Sequence, residues 1–260
     1  MSKPNVADKP NVADKMDMNE VFRQERAERI RAMGGNTALK DSAQTFAEES
    51  TRAGYSYNFS WMGRPIIQYP QDMIALQEII WDMRPDAVFE TGIAHGGSLI
   101  YSASLLELLG GEGFVLGLDI DIRAHNRAAI EAHPMSKRIR MLQGSSVDDA
   151  MAAKVRAELA GCKNPLVVLD SNHTHEHVLR ELELYSPLVR KGGWLVVFDT
   201  VVELMPDDFY PDRPWSVGDN PMTAVDAFLK TNDRFVIDEA MDAKLSVSMA
   251  PRGYLRCVKD

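Results

Sequence analysis

At 260 residues, with 38 Asp and Glu against 29 Lys and Arg and a formal charge of -9, the chain can bury one substantial core, whereas two independent enzyme domains would be cramped. The acidic balance argues against nucleic acid as a partner, because phosphate-backbone binding rests on clustered Lys and Arg. Cys162 and Cys257 show no CxxC spacing, no apolar run reaches the roughly 18 to 20 residues of a membrane span, and the start lacks a signal peptide's apolar stretch, which together predict a soluble cytoplasmic protein.

The first residues repeat, Lys3-Pro-Asn-Val-Ala-Asp8 followed by Lys9-Pro-Asn-Val-Ala-Asp14, and hold too little apolar content to pack, so a disordered tail is expected over 1–17. An N-terminal helical and cap segment follows over 18–70. Within it, Met18 to Ala47 favours helix with a break at Gly34-Gly35. Tyr55 to Tyr69 is aromatic and irregular around Gly63-Arg64-Pro65, and reads either as core packing under a cap or as the wall of a pocket. From 71 to 260 the pattern alternates. Helices are predicted over Gln71 to Met83, Ser98 to Leu109, Ala124 to Ala132, Asp148 to Leu159 and His175 to Leu184. Between them stand apolar strands at Ala87 to Glu90, Phe114 to Ile120, Ile139 to Gln143, Leu166 to Asp170 and Gly193 to Asp199. Continuous apolar strands separated by helices indicate an α/β fold whose mostly parallel sheet is covered on both faces, with ligands bound beyond the strands' carboxyl ends. A Pro- and Asp-rich loop (Met205 to Asn220), a helix (Thr223 to Lys230) and two late strands (Phe235 to Asp238, Tyr254 to Val258) complete the chain, the last two as an expected edge hairpin.

Chemistry concentrates at Glu90-Thr-Gly-Ile-Ala-His-Gly-Gly-Ser98, where an acid closes a strand and a glycine-rich turn opens a helix. Glycines let the backbone approach a ligand, and the helix N-terminus offers unpaired N–H groups. The candidate cofactor residues there are Glu90, Thr91, Gly92, Gly96, Gly97 and Ser98. The next strand ends in Asp119, an acid placed to accept hydrogen bonds from both ribose hydroxyls. Either acid alone reads as a solvated loop residue; at this spacing the pair points to a nucleoside-bearing cofactor. A dinucleotide dehydrogenase competes, since Gly92, Ala94 and Gly97 nearly satisfy its pattern. Gly144, Ser145 and Ser146 after the third strand, together with the acid two residues before the first glycine, favour S-adenosylmethionine instead. Asp170 and Asp199 end the fourth and fifth strands. If those strands are neighbours, their ends lie roughly 5 Å apart, a pairing that suits Mg²⁺. Helix capping is the plainer alternative. His173, closely following a strand end, would face the cleft, whereas His175 and His177 read as exposed residues in the first turns of a helix.

Four strings, Glu90 to Ser98, Leu118-Asp-Ile-Asp-Ile-Arg123, Leu169-Asp-Ser-Asn-His173 and Gly193-Trp-Leu-Val-Val-Phe-Asp-Thr200, resemble the cephalosporin hydroxylase and rhamnosyl O-methyltransferase family. Trp61-Met-Gly-Arg-Pro-Ile-Ile-Gln68 and Pro221-Met-Thr-Ala-Val-Asp-Ala-Phe-Leu229 extend the resemblance over roughly Tyr55 to Leu229. It implies a Rossmann-like class I methyltransferase fold, S-adenosylmethionine, often Mg²⁺, and a rhamnose-like acceptor, nucleotide-linked or already on a glycosylated natural product. Where relatives can carry Glu-Asp at the end of the fifth strand this chain has Phe198-Asp199, which removes one potential metal ligand. None of the six histidines begins the His-x-Asp or His-x-Glu triplet of a non-haem iron oxygenase, so oxidation is discounted. The expected roles are then Asp170 and Asp199 on Mg²⁺, His173 as the base, with Asp170 as alternative base and cofactor neighbour, in a homo-oligomer of secondary metabolism. An NAD-dependent oxidoreductase and a non-catalytic adenosylmethionine-binding module are the rival classes.

Overall fold

The structure, a computed structural model, describes residues 17–260. The tail expected over 1–17 lies outside the described residues except for Asp17, whose side chain caps the first helix by accepting from the Asn19 amide. That helix, α1 (Met18–Gly34), buries none of its residues and ends at the predicted glycine pair. Asn36 caps α2 (Thr37–Arg52), which buries Ala43, Ala47 and Ser50. The aromatic segment folds into a 3-10 turn (Tyr55–Asn58) and a two-stranded ribbon, β1 (Phe59–Trp61) and β2 (Arg64–Ile66). Met62 and Gly63 between them both have positive φ, 46° and 84°, as a tight two-residue hairpin turn requires.

The main body runs α3 (Pro70–Met83), β3 (Ala87–Thr91), α4 (Gly97–Leu109), β4 (Phe114–Asp119), α5 (Ala124–Glu131), β5 (Ile139–Gln143), α6 (Asp149–Glu158), β6 (Pro165–Leu169) and α7 (His175–Tyr185). It continues through β7 (Trp194–Val197), α8 (Pro221–Thr231), β8 (Phe235–Ile237), α9 (Glu239–Leu245) and β9 (Tyr254–Cys257). Strands β3 to β7 pair in parallel in a seven-stranded sheet of order β5-β4-β3-β6-β7-β9-β8. This is the predicted α/β architecture with a mostly parallel sheet. Alternate residues of each strand feed two cores, Val88, Val115 and Leu166 on one face, Phe89, Leu116 and Val167 on the other. The chain order reverses between β3 and β6, so the crevice at their carboxyl ends is the ligand position of such sheets.

The late strands pair antiparallel as expected, but not as a simple hairpin. The helix α9 intervenes, and β9 inserts between β7 and β8, leaving β8 at the edge. The strand-period reading missed α9 because it is only seven residues long. No helix among the described residues is long and apolar enough to cross a membrane.

One buried carboxylate fastens the return to β9. Asp72, in the first turn of α3, is fully buried and accepts from Ser248 Oγ (2.6 Å), the Met249 amide (2.8 Å) and Tyr254 Oη (2.7 Å). Burial pushes its carboxyl up to about 6, against the pull of these three donors. Asp72→Ala is expected to cost about 3 kcal/mol or more, since each orphaned buried donor costs roughly 1–3 kcal/mol. Urea denaturation checks this, and a loss under about 1 kcal/mol would show that the donors find other partners.

Candidate functional site

The glycine-rich turn between β3 and α4 is held rigidly by its neighbours. Gly92 has φ +89°, and a Cβ there would stand 1.9 Å from the Asp170 carbonyl oxygen, so only glycine lets β3 and β6 close up at this point. A Cβ on Gly97 would stand 2.1 Å from the Pro65 carbonyl oxygen, where β2 crosses the first turn of α4. Gly96, φ +80°, is the N-cap of α4 and supplies no side-chain cap, so amides of the first turn remain open to a ligand. Arg64 donates to the His95 carbonyl from Nε (3.0 Å) and Nη2 (2.6 Å) and to Asn126 Oδ1 (3.0 Å), while Asn126 Nδ2 donates to the Ala94 carbonyl (2.9 Å). Behind the turn, Glu90 is buried, accepts from the Ser98 hydroxyl, and has its carboxyl pushed up to about 7 by burial. Asp119 accepts from the amides of Ile93 (2.8 Å) and Ala94 (3.3 Å) through one oxygen and of Asp121 (2.9 Å) through the other.

Strands β6 and β7 are parallel neighbours with Leu169 opposite Val197, which brings the residues just beyond them together. One ligand atom each from Asp170, His173 and Asp199 lies within 4.8 Å of the others. Asp199 sits in a left-handed backbone conformation, φ +55°, that turns the chain into a 3-10 segment (Thr200–Leu204). His173 Nε2 is 2.9 Å from Asp199 Oδ2, and its ring meets Trp215 edge-on at 4.8 Å. Burial disfavours the imidazolium, but the charge and hydrogen bond of Asp199 and the charges of Asp170 and Glu181 outweigh it and raise His173 to about 9. Asp170 is held well above the usual carboxylate range by burial and by the Asp199 charge. Phe198, in place of a further acid, is almost fully buried in the core beneath.

A cleft of about 920 Å³ opens over this floor. Of the residues predicted from the sequence, it gathers Gly92, Gly97, Ser98, Asp170, His173 and Asp199. Glu90, Thr91 and Gly96 stand behind its wall, and Asp119 touches it through the loop amides. Gly144, Ser145 and Ser146 lie to the side, after β5, where a Cβ on Gly144 would stand 2.2 Å from Met151 Cε. Both readings of the aromatic segment hold in part: Tyr69 is buried against Ser50 and Trp61 packs on Tyr101, whereas Tyr57 lines the cleft.

One expectation needs correction. His175 and His177 are half-buried and bonded, not exposed, because α7 packs against α8 and against the loop after β5. His175 Nδ1 shares a hydrogen bond with Thr223 Oγ1 (2.8 Å). His177 Nε2 lies 3.0 Å from Ser146 Oγ, 3.1 Å from Ser171 Oγ and 3.4 Å from Glu181 Oε1, so it ties the loop after β5 to the loop after β6. Sequence reasoning also passed over Gln68, whose Nε2 donates to Asp170 Oδ2 at 3.0 Å while its Oε1 is buried without a partner. Its only signal was membership of the string Trp61 to Gln68. Phe209, Tyr210, Arg213 and Trp215, all lining the cleft, come from the loop read only as Pro- and Asp-rich.

Chemically, the floor is an oxygen-rich pair of carboxyl groups with an imidazole beside it, a donor set that fits a divalent cation with positions left for water and substrate oxygens. The opposite wall, a helix N-terminus behind a glycine turn, fits a carboxylate-bearing nucleoside.

The family model described as Rhamnosyl O-methyltransferase/CmcI matches residues 53–258. The rhamnosyl O-methyltransferase of Mycobacterium tuberculosis (strain ATCC 25618 / H37Rv) is 30% identical over 206 residues, covering 75% of this chain and 77% of its own length. That of Mycobacterium leprae (strain TN) is 28% identical over 200 residues, covering 75% and 82%. Among solved structures, an apo form of CmcI superimposes with a TM-score of 0.54 at 20% identity over 78% of each chain. The Mg-SAM form of CmcI gives 0.52 at 19% identity over 78% of this chain and 77% of its own. At such identities these likenesses speak to the fold.

Proposed function

The chain belongs to the rhamnosyl O-methyltransferase/CmcI family, and from that premise we propose that it transfers the methyl group of S-adenosylmethionine to a hydroxyl of a rhamnose-like deoxysugar, assisted by Mg²⁺, in secondary metabolism. The observation that carries this reading is the convergence of Asp170, His173 and Asp199 on the floor of a cleft walled by the turn Gly92 to Ser98. As an S-adenosylmethionine-dependent O-methyltransferase it must hold a sulfonium donor against an alcohol and remove the alcohol's proton. The acceptor oxygen forms a bond to the methyl carbon as the carbon–sulfur bond breaks, giving a methyl ether, S-adenosylhomocysteine and a proton.

The α4 N-terminus and the amides of the glycine turn bind the donor's amino-acid end, Asp119 its ribose, and the residues Gly144 to Ser146 its adenine. An aliphatic hydroxyl is a poor nucleophile near neutral pH. Held by Asp170 and Asp199, Mg²⁺ would supply Lewis-acid polarisation of that hydroxyl. Gln68 fixes the Asp170 carboxylate. His173 takes the proton at Nε2, the nitrogen that now faces Asp199; the same nitrogen cannot also be a third metal ligand. We extend the reading to a cytoplasmic homo-oligomer.

Asp119→Ala is expected to weaken S-adenosylmethionine binding by about tenfold or more, because a charge-assisted partner of the ribose is worth roughly 1.5–3 kcal/mol. The loss also frees two amides of the glycine turn. Calorimetry showing unchanged affinity in a folded variant would remove Asp119 from the cofactor site. The function itself is tested by incubating the protein with labelled S-adenosylmethionine and a panel of nucleotide-linked and glycosylated deoxysugars, followed by mass spectrometry. Label in a sugar product is the expected result; NADH formation with no label transfer would favour an oxidoreductase.

A further inference from the structure

We infer that the acceptor sugar arrives as a nucleoside diphosphate conjugate, its diphosphate held between Arg52 and Arg213 at the mouth of the cleft; the inference rests on the sugar-methylating reading above. Arg52 closes α2 and Arg213 lies in the loop between Met205 and Asn220, so two separate elements bring a guanidinium to one opening. Each is stacked rather than paired: Arg52 lies 4.5 Å from the centroid of the Phe209 ring and Arg213 5.3 Å from that of Trp215. Among the described residues no carboxylate comes within 4.0 Å of either, although 38 acids stand in the chain and Asp207, Asp208 and Asp212 share the loop. Eight of the other sixteen arginines form ion pairs instead, Arg26, Arg138, Arg180 and Arg252 among them.

A guanidinium stacked on a ring keeps its N–H edge free, and that planar fork matches phosphate oxygens in pairs. A carboxylate offers oxygens for one such fork. A diphosphate offers them on two phosphorus centres, and so suits two forks from two elements. The placement fits the chemistry as well. Trp215 touches both His173 and Arg213, so the anion subsite is one ring away from the proposed base, and a diphosphate on the anomeric oxygen stands only a few bonds from the ring hydroxyls. Tyr57, 65% exposed at the same opening and without an aromatic partner among the described residues, offers a free face on which a nucleobase can stack. The helix dipole accounts for a cation at the end of α2, but not for the second on the facing loop. A neutral glycoside carries no anion to match the two guanidinium charges.

The test has two arms. Thymidine 5′-diphosphate is titrated calorimetrically into the full chain with S-adenosylhomocysteine and EDTA present, for wild type, Arg52→Gln, Arg213→Gln and the double variant. Binding is expected in wild type, about tenfold weaker in each single variant, absent in the double, and steeply weakened by salt. In the second arm, kcat/KM is compared for a thymidine diphosphate-linked 6-deoxyhexose and the methyl glycoside of the same sugar. Wild type should prefer the former by about tenfold or more, and the double variant should lose that preference. Equal nucleotide binding by wild type and double variant, no binding by either, or a methyl glycoside used as efficiently as the conjugate would overturn the inference. Arginine-dependent nucleotide binding with neither sugar methylated would leave the subsite standing and refute the sugar-methylating reading instead.

Discussion

Asp199→Asn is expected to lower turnover by about a hundredfold to a thousandfold, and exhaustive chelation of the wild type should do the same. Asparagine tolerates the left-handed backbone of this position, so the loop persists while the charge is removed. What is lost is one of two carboxylates proposed for the cation, with roughly 3–4 kcal/mol of transition-state stabilisation at 1.36 kcal/mol per tenfold in rate. Added Mg²⁺ should restore chelated wild type and leave the variant low, with S-adenosylmethionine affinity nearly unchanged. The same substitution removes the partner that holds the proton on His173, so the imidazole, raised to about 9 in the wild type, should titrate lower by NMR. Full turnover after metal removal would leave the two acids as orienting groups.

His173→Gln should reduce turnover by about a hundredfold or more, since general-base catalysis contributes roughly 10²–10⁴. The pH profile separates a base from a bystander. In the metal-free protein the ring is protonated at neutral pH, because Asp199, Asp170 and Glu181 more than offset the burial that disfavours its charge. A cation held by the two carboxylates would oppose that attraction and favour loss of the proton. Turnover should therefore rise with pH, with a midpoint that falls as Mg²⁺ is raised, and His173→Gln should lack this limb. Stability follows the opposite sign: a folded value raised from 6.5 to about 9 contributes fully below 6.5 and is lost as pH rises through about 9. Near-wild-type rates in His173→Gln with the limb intact would move the proton to Asp170.

The sheet and the glycine turn were legible because their signals are local. Apolar runs such as Leu166 to Leu169, and an acid with three glycines between Glu90 and Ser98, declare themselves within a few residues. The meeting of Asp170 with Asp199 needed one added assumption, that their strands are neighbours, and the pairing of Leu169 with Val197 supplies it. What stayed hidden depends on contacts across elements. No periodicity relates His177 to Ser146, 31 residues earlier, or Gln68 to Asp170, 102 residues later. The loop carrying Arg213 and Trp215 reads as turn-forming composition, and its place over the site follows only from where β7 delivers the chain.

The most direct measurement is a single turnover with S-adenosylmethionine labelled with ¹³C in the methyl group, run with and without Mg²⁺ on a deoxysugar acceptor and read by NMR. The account predicts a ¹³C methyl ether on a sugar carbon, formed in proportion to enzyme and lost both on chelation and in Asp199→Asn. Stoichiometric binding of the donor with its label remaining on sulfur, whatever the acceptor and metal, would contradict it.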